Sequence, residues 1–143
     1  MKQISDIEKR DLINLFLGFK YLSEGYFEDE IESYPNLHIL IQEGLTFTDE
    51  KTNLIKLNDK GDIFFHKLIK EISEEYIAFL KKKGFEISLR DMASWFEKKY
   101  ELESYDDGMD LGHYISKNLH NYGYGCQSAY SSKDGKKYCF IKS

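Results

Sequence analysis

Polar side chains recur along one side of a helix predicted for residues 108–121, and their types suit hydrogen bonding to a ligand. They are Asp110, His113, Ser116, Lys117, His120 and Asn121. Lys, His and Asn side chains can reach base edges in the major groove of DNA, and Lys can also contact phosphate. The tract therefore favours a DNA-contacting face. The alternative is a solvated polar face, which every amphipathic helix has.

A basic turn follows this helix. Residues 131–137 hold three lysines, Lys133, Lys136 and Lys137, around the dipeptide Asp134-Gly135. Asp-Gly predicts a two-residue turn, so the lysines would lie at the tip of a β-hairpin. There they could neutralise DNA phosphates, although charged tips also protect edge strands from aggregation. In combination with the polar helix face, the tip favours a binding role.

The charge of the chain is distributed unevenly. The 143 residues carry a net charge of −5, which argues against a general nucleic-acid binder. Residues 1–72 have 9 Lys and Arg against 14 Asp and Glu, whereas residues 73–143 have 11 of each. From Leu111 onward there are five lysines and one acidic residue, Asp134. The positive charge is therefore concentrated on the predicted last helix and hairpin.

The absence of membrane-spanning, catalytic and metal-binding motifs excludes several classes of function. No stretch approaches the roughly 20 apolar residues that span a bilayer, and the polar start does not resemble a signal peptide, so we expect a cytoplasmic protein. No phosphate-binding glycine loop, HExxH motif or nucleophile elbow occurs, so we expect neither an enzyme nor a cofactor. His113 and His120 are seven residues apart and there is no CxxC pair, which argues against a metal site.

The two cysteines are expected to be free thiols. If Asp134-Gly135 forms the two-residue turn, Cys139 pairs with Tyr130 across the hairpin. Cys126 then lies four residues further along the same face, roughly 13 Å away at about 3.3 Å per residue. A disulfide requires Cα atoms within about 7 Å of each other, and free thiols suit a reducing cytoplasm.

The first 58 residues predict helices followed by a hairpin. Ser5-Asp6-Ile7-Glu8 matches a capping box, so a helix should begin after Ser5 and end near Gly25. A short acidic helix is expected over 27–33, and another over 35–44 with its proline in the first turn. Alternating apolar residues over 45–57 predict a β-hairpin.

The remaining residues predict a long helix, a pair of shorter helices and a final hairpin. In order, the elements are a helix over 59–83, a short strand over 85–87, a helix over 89–99, an acidic connection over 101–107, a helix over 108–121 and the hairpin. The expected buried stripe of the last helix is Leu111, Ile115, Leu119 and Tyr122. Trp95 is expected to pack between the two halves of the chain.

This order from Asp59 onward resembles a winged-helix domain, a helix-turn-helix unit closed by a β-hairpin. Residues 111–119 followed by Tyr122-Gly123-Tyr124 are similar to the small winged helices at the C-termini of phage and plasmid primase-helicase proteins. In those domains, too, a helix with a Leu-Gly start leads to a glycine and a basic hairpin. No GxxxxGK[ST] motif occurs, so the resemblance implies a DNA-contacting fold without ATPase activity.

The first half resembles a second group. Residues 40–45, the hairpin and residues 57–61 look like the wing and following helix of bacterial winged-helix regulators of the multiple-antibiotic-resistance type. The candidate reading helix, residues 35–43, contains no Lys or Arg, which departs from that pattern. We therefore interpret residues 1–58 as a degenerate winged-helix-like unit used for structure or partner binding.

We predict an α+β, mostly helical fold of two closely packed winged-helix-like units, residues 1–58 and 59–143, that share the long helix 59–83. The predicted function is non-enzymatic binding of double-stranded DNA, by a small transcriptional regulator or a mobile-element accessory factor. The alternative is a protein-interaction module, such as a phage-encoded inhibitor that binds a host protein. Residues 1–58 would hold a homodimer or that partner. The candidate nucleic-acid-binding residues are His113, Ser116, Lys117, His120, Asn121, Lys133, Lys136 and Lys137.

Overall fold

The computed structural model describes residues 3–22, 24–133 and 135–142, with the side chain of Leu22 left out. Within these residues the fold is α+β and mostly helical, with five α-helices and two three-stranded antiparallel sheets, which confirms the predicted fold class. Contacts between Cα atoms divide the chain into two compact units, Met1–Leu68 and Ile69–Ser143. The division falls inside the longest helix.

The first unit begins with a 3-10 turn, Ile4–Asp6, followed by α1, Lys9–Leu17, and a π-helical turn, Gly18–Leu22. The capping box predicted at Ser5 is wrong. The Asp6 carboxylate instead accepts a hydrogen bond from the Gln3 backbone N–H at 2.8 Å. This bond caps the 3-10 turn, which the Asp6 N–H closes by donating to the Gln3 carbonyl at 2.9 Å. Because Ile7 is extended, the α-helix begins only at Lys9.

The sheet of the first unit has three short strands in the order β1, β3, β2. They are β1 (Tyr26–Phe27), β2 (Thr46–Asp49) and β3 (Leu54–Leu57). The hairpin of β2 and β3 was predicted, whereas β1 was not. The expected acidic helix is only a 3-10 turn, Glu28–Glu30, because the preceding backbone is extended to pair with β3. Helix α2, Pro35–Gln42, has the proline in its first turn as expected.

The long helix α3 runs from Asp59 to Lys82. The Asn58 side chain caps it by accepting a hydrogen bond from the Gly61 N–H at 2.9 Å. Its buried side chains follow a three-to-four-residue spacing: Phe65, Ile69, Ile72, Tyr76 and Leu80. The apolar side chain of Ile63, which an amphipathic pattern predicts to be buried, lies off this stripe and is 66% exposed.

The second unit has the predicted element order after α3. The elements are β4 (Glu86–Ser88), α4 (Leu89–Lys99), α5 (Tyr105–Asn118), a 3-10 turn (Leu119–Tyr122), β5 (Tyr124–Ser131) and β6 (Gly135–Lys142). Helix α5 begins three residues earlier than expected, because the Ser104 hydroxyl caps it by accepting from the Asp107 N–H at 3.1 Å. It also ends at Asn118, so His120 and Asn121 belong to the 3-10 turn.

Helices α4 and α5 approach closely where α5 has small residues. A Cβ added to Gly108 would lie 2.3 Å from the Ala93 carbonyl oxygen, and one added to Gly112 would lie within 3.0 Å of three Met92 side-chain atoms. Of the expected stripe, Leu111, Ile115 and Leu119 are fully buried, whereas Tyr122 lies in the 3-10 turn and is only half-buried. These contacts fix the position of the opposite face of α5.

The two sheets share a topology. In each, the first strand pairs with the third, and the third with the second: β1-β3-β2 and β4-β6-β5. Each unit has a helix followed by a short strand and closes with a hairpin. Between the short strand and the hairpin, the first unit has a 3-10 turn and a helix, and the second unit has two helices. The units therefore repeat an architecture, although the sequence contains no recognisable repeat.

Candidate nucleic-acid interface

The register of the closing hairpin determines where its lysines point. Ser131 pairs with Gly135, Tyr130 with Lys136 and Gln127 with Cys139. The predicted two-residue turn at Asp134-Gly135 is therefore wrong, since three residues separate the paired Ser131 and Gly135; Asp134 itself lies outside the described residues. The pairing of Cys139 with Tyr130 is wrong for the same reason.

Both cysteines are nevertheless free, as expected. Cys126 pairs with Phe140, so it lies on the face opposite Cys139, because successive strand residues alternate. Burial raises the pKa of the Cys126 thiol to about 11, although the charge of Lys117 opposes that rise.

Three candidate residues are exposed around the C-terminal end of α5. Lys117 lies in its last turn, and His120 and Asn121 lie in the 3-10 turn that follows. Hydrogen bonds orient two of them. His120 Nδ1 lies 2.8 Å from the Lys117 carbonyl oxygen, and the Asn121 amide donates to Asn118 Oδ1 at 2.9 Å. Lys117 and the remaining polar atoms of His120 and Asn121 form an accessible group.

His113 connects α5 to the hairpin. Its Nδ1 lies 2.6 Å from the Tyr138 hydroxyl on β6, and its side chain is half-buried. Burial lowers the pKa of His113, the charges of Lys117 and Lys136 lower it further, and Asp110 opposes them. Because Lys117 is on α5 and Lys136 is on β6, cations from the helix and the hairpin act on the same imidazole.

Ser116 is not on the exposed face, so its assignment as a contact residue is wrong. It is fully buried, and its hydroxyl lies 3.1 Å from the Tyr76 hydroxyl and 3.5 Å from the Met92 sulfur. Gly108, Gly112 and Ser116 are spaced by four residues and share the face that packs on α4. The spacing of these three small residues is the sequence signal that could have revealed the burial.

The three lysines of the hairpin differ. Lys133 and Lys136 are exposed. Lys137 lies on the opposite face of β6 from Lys136, and its Nζ is 3.3 Å from a carboxylate oxygen of Glu86 on β4. Since Lys137 is partly neutralised and points away, it does not belong to the group around His113.

Sequence reasoning missed two residues at this interface. Tyr138 holds His113, and Tyr130, which pairs with Lys136 near the hairpin tip, is 81% exposed. Tyr138 shares the face of Lys136 because the two residues are two positions apart on β6, and the observed register puts Tyr130 on that face as well. The exposed Tyr130 ring beside Lys136 suits contact with a sugar or a base.

The N-terminal part of α5 has the opposite charge. Burial raises the pKa of Asp110, and the carboxylates of Asp107 and Asp106 raise it further. Acidic side chains stabilise a helix N-terminus through its dipole. They would repel phosphate, so the cationic surface comprises the C-terminal end of α5 and the hairpin.

No site for a metal and no membrane span is found in the part of the chain that the structure describes. There, no three His, Cys, Asp or Glu side chains are grouped so as to hold a metal ion, and no helix is long and apolar enough to cross a bilayer. Comparison with models of known protein families, with curated proteins and with solved structures gives no match.

Proposed function

We propose that the second unit is a winged-helix domain that binds double-stranded DNA without catalysing a reaction. The observation that carries the proposal is the contact of α5 with β6 at 2.6 Å between His113 Nδ1 and the Tyr138 hydroxyl, with Lys117 exposed on the helix and Lys136 exposed on the strand. Such a surface can neutralise phosphates on either side of a groove. The order of helices and the β4-β6-β5 pairing support the winged-helix assignment.

The proposed contacts follow from exposure. The C-terminal end of α5 lies along the major groove, where His120 and Asn121 reach base edges and Lys117 contacts phosphate. The hairpin tip, with Lys133 and Lys136, lies on the sugar-phosphate backbone. We place the protein in the cytoplasm, as a small transcriptional regulator or an accessory factor of a mobile element.

Fluorescence anisotropy with a labelled random duplex tests this proposal. The variant Lys117→Glu/Lys136→Glu should bind at least about 100-fold more weakly, because each reversal removes an attraction and adds a repulsion. The matched control is Lys60→Glu/Lys67→Glu, which changes the net charge equally on exposed positions of the first unit. Equal losses in both variants would refute a specific interface, and no binding by the native chain would refute DNA binding.

The second candidate function is binding of a basic protein partner by the first unit. A groove of about 650 Å³ in that unit has a mixed lining, with the apolar residues Phe27, Ile31, Ile41 and Ile55 and the polar residues Thr46, Thr48 and Asn53. Glu28 and Asp29 border it. Residues 21–50 contain eight acidic residues and no Lys or Arg. Residues 21–50 are therefore acidic, whereas the C-terminal end of α5 and the hairpin of the second unit are basic, which favours a protein rather than DNA as the ligand of the first unit.

Titration calorimetry with synthetic peptides tests this second candidate. Peptides with one large apolar side chain between lysines should bind, whereas versions with glutamates in place of the lysines should not. Ile41→Lys should abolish binding, because it puts a cation in the lining of the groove. Equal affinity for the two peptide sets would refute the candidate.

A further inference from the structure

A second groove, of about 440 Å³, lies between α3 and α4 within the second unit. Phe79 on α3 and Lys83, which directly follows that helix, form one wall. The other wall is a face of α4 and comprises Asp91, Ser94, Trp95, Lys98 and Lys99. None of these residues belongs to the proposed DNA interface.

The floor of this groove is aromatic. Trp95 stacks on Phe79 with ring centroids 4.8 Å apart and an interplanar angle of 14°. Further ring contacts of Trp95 are made with Tyr76, Phe96 and Tyr100, which all belong to the second unit. The indole is thus held in place on one side, while it remains half-exposed and lines the groove on the other.

The rim of the groove is cationic. The Lys83 ammonium lies 5.7 Å from the centroid of the Phe79 ring, and Lys98 is exposed on the opposite wall. Lys99 is paired with Glu75 at 3.4 Å, and Asp91 is the acidic residue of the lining. This combination fits an occupant that presents a large apolar side chain next to carboxylates.

The chain itself has such a segment in its first unit. Phe27 is 51% exposed, and the next two residues, Glu28 and Asp29, are exposed as well. The Glu30 carboxylate accepts a hydrogen bond from the Phe27 N–H at 2.9 Å, which fixes the turn. The segment therefore presents one aromatic ring and two free carboxylates in an ordered conformation, at low entropic cost for docking.

We propose that Phe27, Glu28 and Asp29 of one copy dock in the α3–α4 groove of a second copy. Phe27 covers the Phe79–Trp95 pair, and the two carboxylates face Lys83 and Lys98. Reciprocal exchange gives a two-fold dimer with two such contacts. The dimer does not depend on DNA binding, because the groove and the DNA interface have no residue in common.

Sedimentation of the full chain over a range of concentrations, together with tryptophan emission, tests the proposal. Trp95 is the single tryptophan, so its emission should shift to shorter wavelength as the dimer forms. Lys83→Glu/Lys98→Glu and Glu28→Lys/Asp29→Lys should each weaken self-association by at least roughly 10-fold, since like charges then oppose each other. Phe27→Ala should also weaken it, and circular dichroism verifies the fold of each variant.

Mixing the two charge-reversed variants gives the sharpest result. In the mixed dimer, one contact joins the two reversed surfaces and the other joins the two native ones, so both are complementary and association should return. Lys133→Glu/Lys136→Glu, the matched control, should lose DNA affinity but keep the dimer. A native chain that is monomeric at all concentrations, or a dimer that neither reversal weakens, would overturn the proposal and leave DNA binding to be judged separately.

Discussion

The buried hydroxyl pair of Tyr76 and Ser116 offers a quantitative test of how α5 is oriented. Both side chains are fully buried, and their hydroxyl oxygens are 3.1 Å apart. Ser116→Ala removes one partner and leaves the Tyr76 hydroxyl without it in the core. An orphaned buried hydroxyl costs about 1–3 kcal/mol, and the better helix propensity of Ala returns about 0.5 kcal/mol. We therefore expect the free energy of unfolding to fall by about 1–2 kcal/mol.

Tyr76→Phe should cost less, about 0.5–1 kcal/mol, because the Ser116 hydroxyl can bond to a carbonyl of its own helix and keeps its contact with the Met92 sulfur. The double variant should then be more stable than the sum of the single losses predicts, by about 1 kcal/mol. Urea unfolding monitored by circular dichroism and by Trp95 fluorescence measures all three variants.

The same variants separate a structural role of Ser116 from a DNA-contacting role. At a temperature well below its thermal unfolding midpoint, the Ser116→Ala variant should bind duplex DNA with the affinity of the native chain. An unchanged stability combined with weakened DNA binding would refute the orientation of α5 described here.

Three further predictions concern other positions. Gly108→Ala should lower the free energy of unfolding by roughly 1–3 kcal/mol, because the added methyl group overpacks against the Ala93 carbonyl. This loss already includes a gain in helix propensity of about 1 kcal/mol. A more stable variant in urea unfolding would contradict the close approach of α4 and α5. The pKa of His113 is lowered by burial and by the neighbouring lysines, so its contribution to stability is present above its unfolded pKa of about 6.5 and is lost as the pH falls below it. His113→Gln should remove that part of the pH dependence of the free energy of unfolding between pH 7 and 5. An identical pH profile in the variant and the native chain would rule out a lowered pKa of His113. Because the pKa of Cys126 is raised to about 11, its thiol should react slowly with a disulfide reagent at pH 8, and Cys126→Ser should abolish the slow phase, whereas a fast reaction would argue against burial.

Much of the second unit could be predicted because its boundaries are encoded locally. The Ser88 side chain caps the start of α4, and the left-handed Gly123, with φ of 84°, ends the 3-10 turn that follows α5; serine and glycine are the residue types typical of these positions. Ser104 followed by Asp107 is the same capping signature, but the acidic run around it looked like a connection. Strand β1 has only two residues and owes its conformation to pairing with β3, so no local pattern predicts it.

The candidate site was predicted less well, because it depends on contacts between distant residues. Polarity alone placed Ser116 on the solvent side, whereas close packing of α5 on α4 buries it. A register error of the hairpin paired Tyr130 with Cys139 instead of Lys136, and a shift by an odd number of positions reverses the face of every β5 residue relative to β6. Lys137 faces away from Lys136 in either register, because successive residues of β6 alternate. The lysines of the helix end and the hairpin tip were found, since charge is visible in composition.

The salt dependence of DNA affinity tests the central claim most directly. If Lys117, Lys133 and Lys136 each neutralise one phosphate, the logarithm of the affinity should fall with the logarithm of the salt concentration at a slope of about −2.7. That slope corresponds to about a 40-fold loss between 50 and 200 mM salt. Replacing each of the three lysines by Ala should reduce the slope by about 0.9, whereas Lys60→Ala should leave it unchanged. No measurable binding at the lower salt concentration, or a slope that these lysines do not change, would contradict the account.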